Sequence, residues 1–241
     1  MKIALIVISC FVFLVVPQFG WAGDCSPMQI SFTISYQLVS AHKDVCGLRL
    51  NLPSGDNRNV YGLDLGFLGS AIESKGIVLN LIGNFRSFSD SQDGSGTKGI
   101  QIGGLGNIQF AAEMQGIQLA GLMNLNLGDI DGIQIAGAVN IGKIQGIQIA
   151  GLLNGGDVRG IQIAGFWNNG GEVRGIQVGA VNYSEKAMGL QCGIYNGAKS
   201  LRGIQIGLIN VTQKLSGLQI GLVNYIGESP APILPIINLK L

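Results

Sequence analysis

The sequence predicts an all-β repeat fold, a β-solenoid with rungs of about 14 residues, and three observations carry that expectation. The tripeptide Gly-Ile/Leu-Gln recurs nine times, beginning at Gly99, Gly116, Gly132, Gly146, Gly160, Gly175, Gly189, Gly203 and Gly217. An Asn follows each copy, seven or eight residues after the Gly. Glycine supplies 39 of the 241 residues, and helix-capped amphipathic stretches are absent. One short unit has therefore been copied, and neighbouring copies must bury what a single copy cannot.

The first 22 residues read as a secretory signal peptide. Lys2 is the positive start, Ile3 to Val16 is an apolar run, and Gly20-Trp21-Ala22 places small residues at the cleavage positions. Cleavage after Ala22 or Gly23 removes Cys10 and leaves Cys25, Cys46 and Cys192. Residues 23–46 form an N-terminal strand or cap, in which Met28 to Val39 alternates polar and apolar side chains as a single strand would. Cys25 and Cys46 flank it and can bridge in an oxidising compartment, whereas Cys192 replaces the second Ile of its repeat and reads as a small buried hydrophobe.

Residues 47–98 hold degenerate repeats. The frames at Gly47-Leu48-Arg49-Leu50-Asn51, Gly62-Leu63-Asp64-Leu65 and Gly76-Ile77-Val78-Leu79-Asn80 keep the glycine and its alternation but lose the Gln, as a capping end would. The polar stretch 87–98 that follows reads as a loop leaving the stack. Residues 99–228 are the regular array. Residues 229–241 are a Pro-rich turn and a last strand from Ile236, with the prolines expected to hold that strand apart from the array.

Within one unit, alternation sets Ile161 and Ile163 on one face and Gln162 on the other. In a solenoid the Ile rows are expected to fill a thin apolar interior. Gly160 and its equivalents turn the chain, and Asn168, Asn182, Asn196, Asn210 and Asn224 stack as an amide ladder. The Gln row then lies on the outer face. The Gly-to-Asn distance shortens from eight residues to seven from Gly175 onward, and only a corner or bulge absorbs such a change without exchanging faces. The alternative closure is an up-and-down outer-membrane β-barrel, with Ile outward and Gly, Gln and Asn facing a polar lumen.

Lys and Arg number 15 against 14 Asp and Glu and form no run, so nucleic acid is not an expected partner. Gly155-Gly156-Asp157 and Gly170-Gly171-Glu172 match calcium-binding nonapeptides poorly and read as solvated turns. His42 stands alone as a surface or capping histidine, and no phosphate loop, paired-carboxylate motif or nucleophile elbow is present. The expectation is therefore no catalytic, cofactor-binding or metal-binding residues. The Gln row is the most site-like feature, either a stripe for a ligand, glycan or ice, or a solvated or ladder face.

The unit Gly203 to Asn210, the segments Gly47 to Pro53 and Val60 to Gly66, and the ending Pro232 to Asn238 together resemble a family of repeat-containing surface proteins of leptospires and other Gram-negative bacteria. The resemblance spans nearly all of the chain after the signal. It implies export to the cell surface, outer membrane or periplasm, and supplies no activity. The expected function is a non-enzymatic envelope scaffold or adhesion module with an unknown surface ligand and possible membrane association. An integral barrel, even a small pore, is the alternative.

Overall fold

A computed structural model describes residues 25–33, 36–86, 96–110 and 113–240. The signal segment with Cys10, the stretch 87–95 and Leu241 lie outside the described residues. Most of the described residues are in strands, and none is in a helix. In order the strands are β1 (Cys25–Thr33), β2 (Tyr36–Gln37), β3 (Asp44–Arg86), β4 (Gly96–Gly103), β5 (Gly106–Gln109), β6 (Glu113–Ala120) and β7 (Met123–Ala136). They continue as β8 (Val139–Ala150), β9 (Leu153–Gly155), β10 (Val158–Ala164), β11 (Trp167–Val178), β12 (Val181–Ile226) and β13 (Ile233–Lys240).

Successive copies pair in parallel, like residue on like. Gly160 lies between Gly146 and Gly175, Gln162 between Gln148 and Gln177, and Asn168 between Asn154 and Asn182. This is a β-solenoid of about ten turns. It is not a barrel, whose neighbouring strands would run antiparallel. The rung length varies, from 23 residues between Gly76 and Gly99 to 14 between Gly146 and Gly160.

The repeat glycine is fixed by geometry. Gly160 has φ +140°, and a Cβ built there would lie 2.0 Å from the carbonyl oxygen of Gly146 in the preceding rung. No L side chain fits that position without moving two backbones. The same contact recurs from rung to rung, so the glycine row records close stacking of turn on turn.

The faces are the reverse of the solenoid expectation. Gln162 is fully buried, while Ile163 is 37 % exposed and Ile161 is half-buried on the outside. Alternation runs through the glycine: Val158, Gln162 and Ala164 point inward, and Arg159, Ile161 and Ile163 point outward. The turn that starts at Val158 therefore encloses Val158, Gln162, Ala164 and Asn168. The aliphatic row forms two clusters, Met114, Ile130, Ile144, Val158 and Val173, then Ala187, Ala198, Leu201, Leu215 and Ile226.

The shortening from eight residues to seven falls at the corner. Ala164 to Asn168 rounds it in one rung, and Gly179 to Asn182 rounds it in the next with one residue fewer. The pairing Asn168 with Asn182 and Gln162 with Gln177 continues unbroken on either side.

Three boundaries differ from the sequence reading. Met28 to Val39 is not one strand. β1 pairs in parallel with β3, and β2 folds back antiparallel on β1, Thr33 opposite Tyr36. Gly96, Thr97 and Lys98 belong to β4 rather than a loop, with Thr97 buried between Ser74 and Met114 in register. The C-terminal prolines do not separate the last strand. β13 begins at Ile233, includes Pro235 and pairs antiparallel with the final rung, Gly217 opposite Lys240. The register slips between Gly221 and Asn224, where Pro235 lacks the amide donor and Ile236 takes φ 70°. Both ends of the parallel stack are thus closed by an antiparallel strand.

Candidate functional site

Residue by residue, the predicted rows assemble into two continuous internal ladders. Gln162 Nε2 donates to Gln148 Oε1 at 2.8 Å, and Gln162 Oε1 accepts from Gln177 Nε2 at 2.8 Å. The row runs from Gln101 to Gln219 with each Nε2 donating toward the N-terminal neighbour. Asn154 Nδ2 donates to Asn168 Oδ1 at 3.0 Å, Asn168 to Asn182, Asn182 to Asn196, Asn196 to Asn210 and Asn210 to Asn224. The Asn ladder therefore donates toward the C-terminus, opposite to the Gln ladder, and the two rows of amide dipoles oppose each other.

The second Asn proton is also used. Asn168 Nδ2 donates to the Val178 carbonyl at 2.7 Å and Asn154 Nδ2 to the Ile163 carbonyl at 2.6 Å, satisfying backbone at the corner of the following turn. Each amide in such a ladder contributes on the order of 1 kcal/mol net, but leaving one buried and unpaired costs about 1 to 3 kcal/mol. At the C-terminal end Gln219 Oε1 and Asn238 Nδ2 have no partner, and the two residues are paired in register.

The Gln row is consequently unavailable to a ligand, glycan or ice surface. All nine members are at most 4 % exposed, which overturns the expectation of an outer Gln stripe. Sequence reasoning missed the inward row at Val158 and the parity it sets. Charged neighbours carried the signal: Asp157-Val158-Arg159 and Glu172-Val173-Arg174 hold an aliphatic residue between two side chains that must point to water. Counting by twos from Val158 turns Gln162 inward.

Where the Gln is lost, a buried ion pair replaces it. Arg49 Nε donates to Asp64 Oδ1 at 2.9 Å and Arg49 Nη2 to Asp64 Oδ2 at 2.5 Å, with both side chains 1 % exposed. Arg49 Nη1 also donates to the Ser70 carbonyl, and Asn51 Nδ2 donates to Asp64 Oδ1 at 2.7 Å. Cys25 and Cys46 are joined by a disulfide, their Cα atoms 5.8 Å apart. On the outside of this region the Tyr61 hydroxyl donates to Glu73 Oε2 at 2.8 Å, and Lys75 Nζ lies 3.0 Å from Glu73 Oε1. Burial and the Glu73 carboxylate push the Tyr61 hydroxyl up to about 12. Burial would raise Glu73 itself, but its bonds to Tyr61 and Lys75 outweigh that and hold it below the usual carboxylate range.

Outside, charge is confined to one edge. Every charged residue from Gly99 to Glu228 falls in the four positions before a repeat glycine or at the equivalent place of the last turn, seven acidic and seven basic. Neighbouring rungs pair them, as Lys143 with Asp129 at 3.1 Å and Lys199 with Glu185 at 2.6 Å. The hydrogen bond from Lys199 lowers the Glu185 carboxyl, and that from Arg174 lowers Glu172. Asp157 accepts the Glu172 amide at 2.8 Å. A cavity of about 200 Å³ along this edge is lined by the acids Glu113, Asp129, Asp131, Asp157 and Glu172 and by the bases Lys143 and Arg159. Among the described residues no group of three His, Cys, Asp or Glu is arranged to hold a metal ion.

The remaining outer surface is apolar. Half a rung from the charged edge, a corner row of Leu105, Leu122, Leu152, Phe166, Ile194 and Leu222 is more than half exposed. Beside it an open groove of about 710 Å³ is lined by glycines and by Cys192, Ile194, Ile206, Leu208 and Leu222, with Ile236 at its end. Cys192 is free and half-buried there, rather than in the interior. Comparison of the chain with models of known protein families, with curated proteins and with solved structures returned no match.

Proposed function

We propose that the chain is an exported, non-enzymatic scaffold or interaction module of the envelope of a Gram-negative bacterium. One observation carries the reading: the side chains with most hydrogen-bonding chemistry, the Gln and Asn rows, are consumed by internal ladders. What faces outward is an apolar surface and a neutral edge of paired charges, which suits contact along a rod rather than turnover at a centre. The resemblance of the repeats to leptospiral surface proteins and the signal-like first 22 residues support export. The Cys25–Cys46 bridge suits an oxidising compartment.

Expression of the full chain in a Gram-negative host tests the reading. The expected product begins at Gly23 or Asp24 by N-terminal sequencing, is recovered in the envelope fraction, and carries Cys25 and Cys46 oxidised on thiol trapping. An uncleaved chain in the cytosol with both thiols free contradicts it.

A further inference from the structure

We infer that the apolar corner of the solenoid is a lipid-contacting surface, and that the rod lies along a bilayer with its charged edge in water. The inference rests on reading this surface as one for interaction, and it names the partner as hydrocarbon.

Three features select lipid over a second copy. The first is segregation. All fourteen charges of the array occupy the turn that contains Glu172 and Arg174, six to eight residues from Phe166 in a rung of 14 or 15. The cross-section is therefore amphipathic in the way a surface-lying helix is, one side charged and the other aliphatic. The second is shape. Outward Ile161 and Ile163 precede the corner, and Phe166 and Trp167 round it, so the apolar strip bends. Nine rungs at about 4.8 Å and about 25 Å of chain per strip give roughly 1,000 Å² of bent apolar surface. A rigid second copy meets one side of a bent strip, whereas acyl chains meet both. The third is internal satisfaction. Backbone amides are used in the parallel ladders and the corner carbonyls accept from the Asn row, so little polar backbone is presented to hydrocarbon where the strip lies. Tyr183 and Tyr225 lie between corner and charged edge, where an amphipathic ring meets headgroups.

Because the edge carries equal numbers of opposite charges, attachment does not depend on anionic lipid. Trp167, 39 % exposed beside the corner, reports on it directly. The test uses the full chain with Trp21→Phe, so that Trp167 is the single tryptophan, and phosphatidylcholine vesicles with or without bromine on the acyl chains. The fluorescence readout separates corner contact from any insertion of Ile3 to Val16. Expected are co-flotation that persists in high salt and strong quenching of Trp167 by brominated chains. Leu152→Asp with Ile194→Asp, both on the outer corner, keeps the strand circular dichroism and abolishes that quenching, while Arg159→Gln changes nothing. With two lipid-facing side chains replaced, vesicle partitioning of the corner falls about a hundredfold. A vesicle-bound chain whose Trp167 stays open to aqueous acrylamide overturns the inference. So does a chain that shields Trp167 without vesicles as a dimer by light scattering, which assigns the strip to a second copy. Neither result bears on export, which N-terminal sequencing decides separately.

Discussion

The N-terminal rungs, Cys25 to Asn80, and the regular array from Gly99 face the same difficulty, a polar side chain on the inside of each turn, and meet it differently. In the array the Gln position repeats and every amide finds an identical amide one rung away. In the first rungs the same position holds Gln29, then Arg49, then Asp64, then Val78. Arg49 and Asp64 satisfy one another once, Val78 ends the row, and Gln101 begins the ladder afresh. Only the Asn row crosses from the last degenerate rung into the array, Asn84 donating to Asn107. Repetition spreads a modest contribution over many equal bonds, whereas the degenerate end concentrates it in one charged pair and one disulfide closing a 21-residue separation, about 3 kcal/mol by loop closure. The interior row of the array thus rests on many equal bonds, and that of the end on a few unequal ones.

Substitution at the stacking glycine has the largest expected effect. Gly160→Ala forces a side chain into a positive-φ position 2.0 Å from the Gly146 oxygen and should cost about 4 to 6 kcal/mol, splitting the array there. Limited proteolysis would then cut near residue 160, and an intact array of unchanged stability would show that turns are not stacked this closely. Next comes Asp64→Asn, which strands the Arg49 charge in the interior at about 3 to 5 kcal/mol. Arg49→Gln combined with Asp64→Gln replaces the ion pair with one amide pair, still separated from the array ladder by Val78, and should recover most of that loss in urea unfolding. Failure to recover would mean that the two regions differ in more than the chemistry of one row.

The smallest effect separates the regions by pH. With its folded value raised to about 12, above the ordinary 10, Tyr61 contributes stability that is present below pH 10 and lost between pH 10 and 12. Phenolate absorbance should show one tyrosine ionising about two units late, absent in Tyr61→Phe and shifted down in Glu73→Gln. Simultaneous ionisation of all tyrosines would contradict the Tyr61–Glu73 bond.

Spacing made the repeat, the solenoid and the stacking of Asn on Asn legible, because a one-residue-per-rung coincidence of glycine and amide has few geometric solutions. It left the direction of each face undetermined. Ile161-Gln162-Ile163 taken alone states a period of two and no sign. The usual preference for apolar interiors supplies the wrong one, since the thin core already holds its aliphatic row at Val158. The charges at Asp157 and Arg159 fix the sign, and they lie outside the most regular part of the motif. The capping strands were illegible for another reason. That β2 folds back on β1 and β13 on the last rung depends on pairing across the ends of the stack, and the bulge near Gly221 accommodates a proline that local rules set apart.

The central claim is that the Gln row lies inside this solenoid and the flanking Ile row outside it. Urea unfolding of Gln162→Ala and Ile163→Asp side by side tests it most directly. Removing Gln162 leaves Gln148 Oε1 and Gln177 Nε2 buried without it, an expected loss of about 2 to 5 kcal/mol, while an aspartate at the outward position 163 should change stability by less than about 1 kcal/mol. An unfolded Ile163→Asp beside a wild-type-like Gln162→Ala would turn the rung inside out and contradict the account.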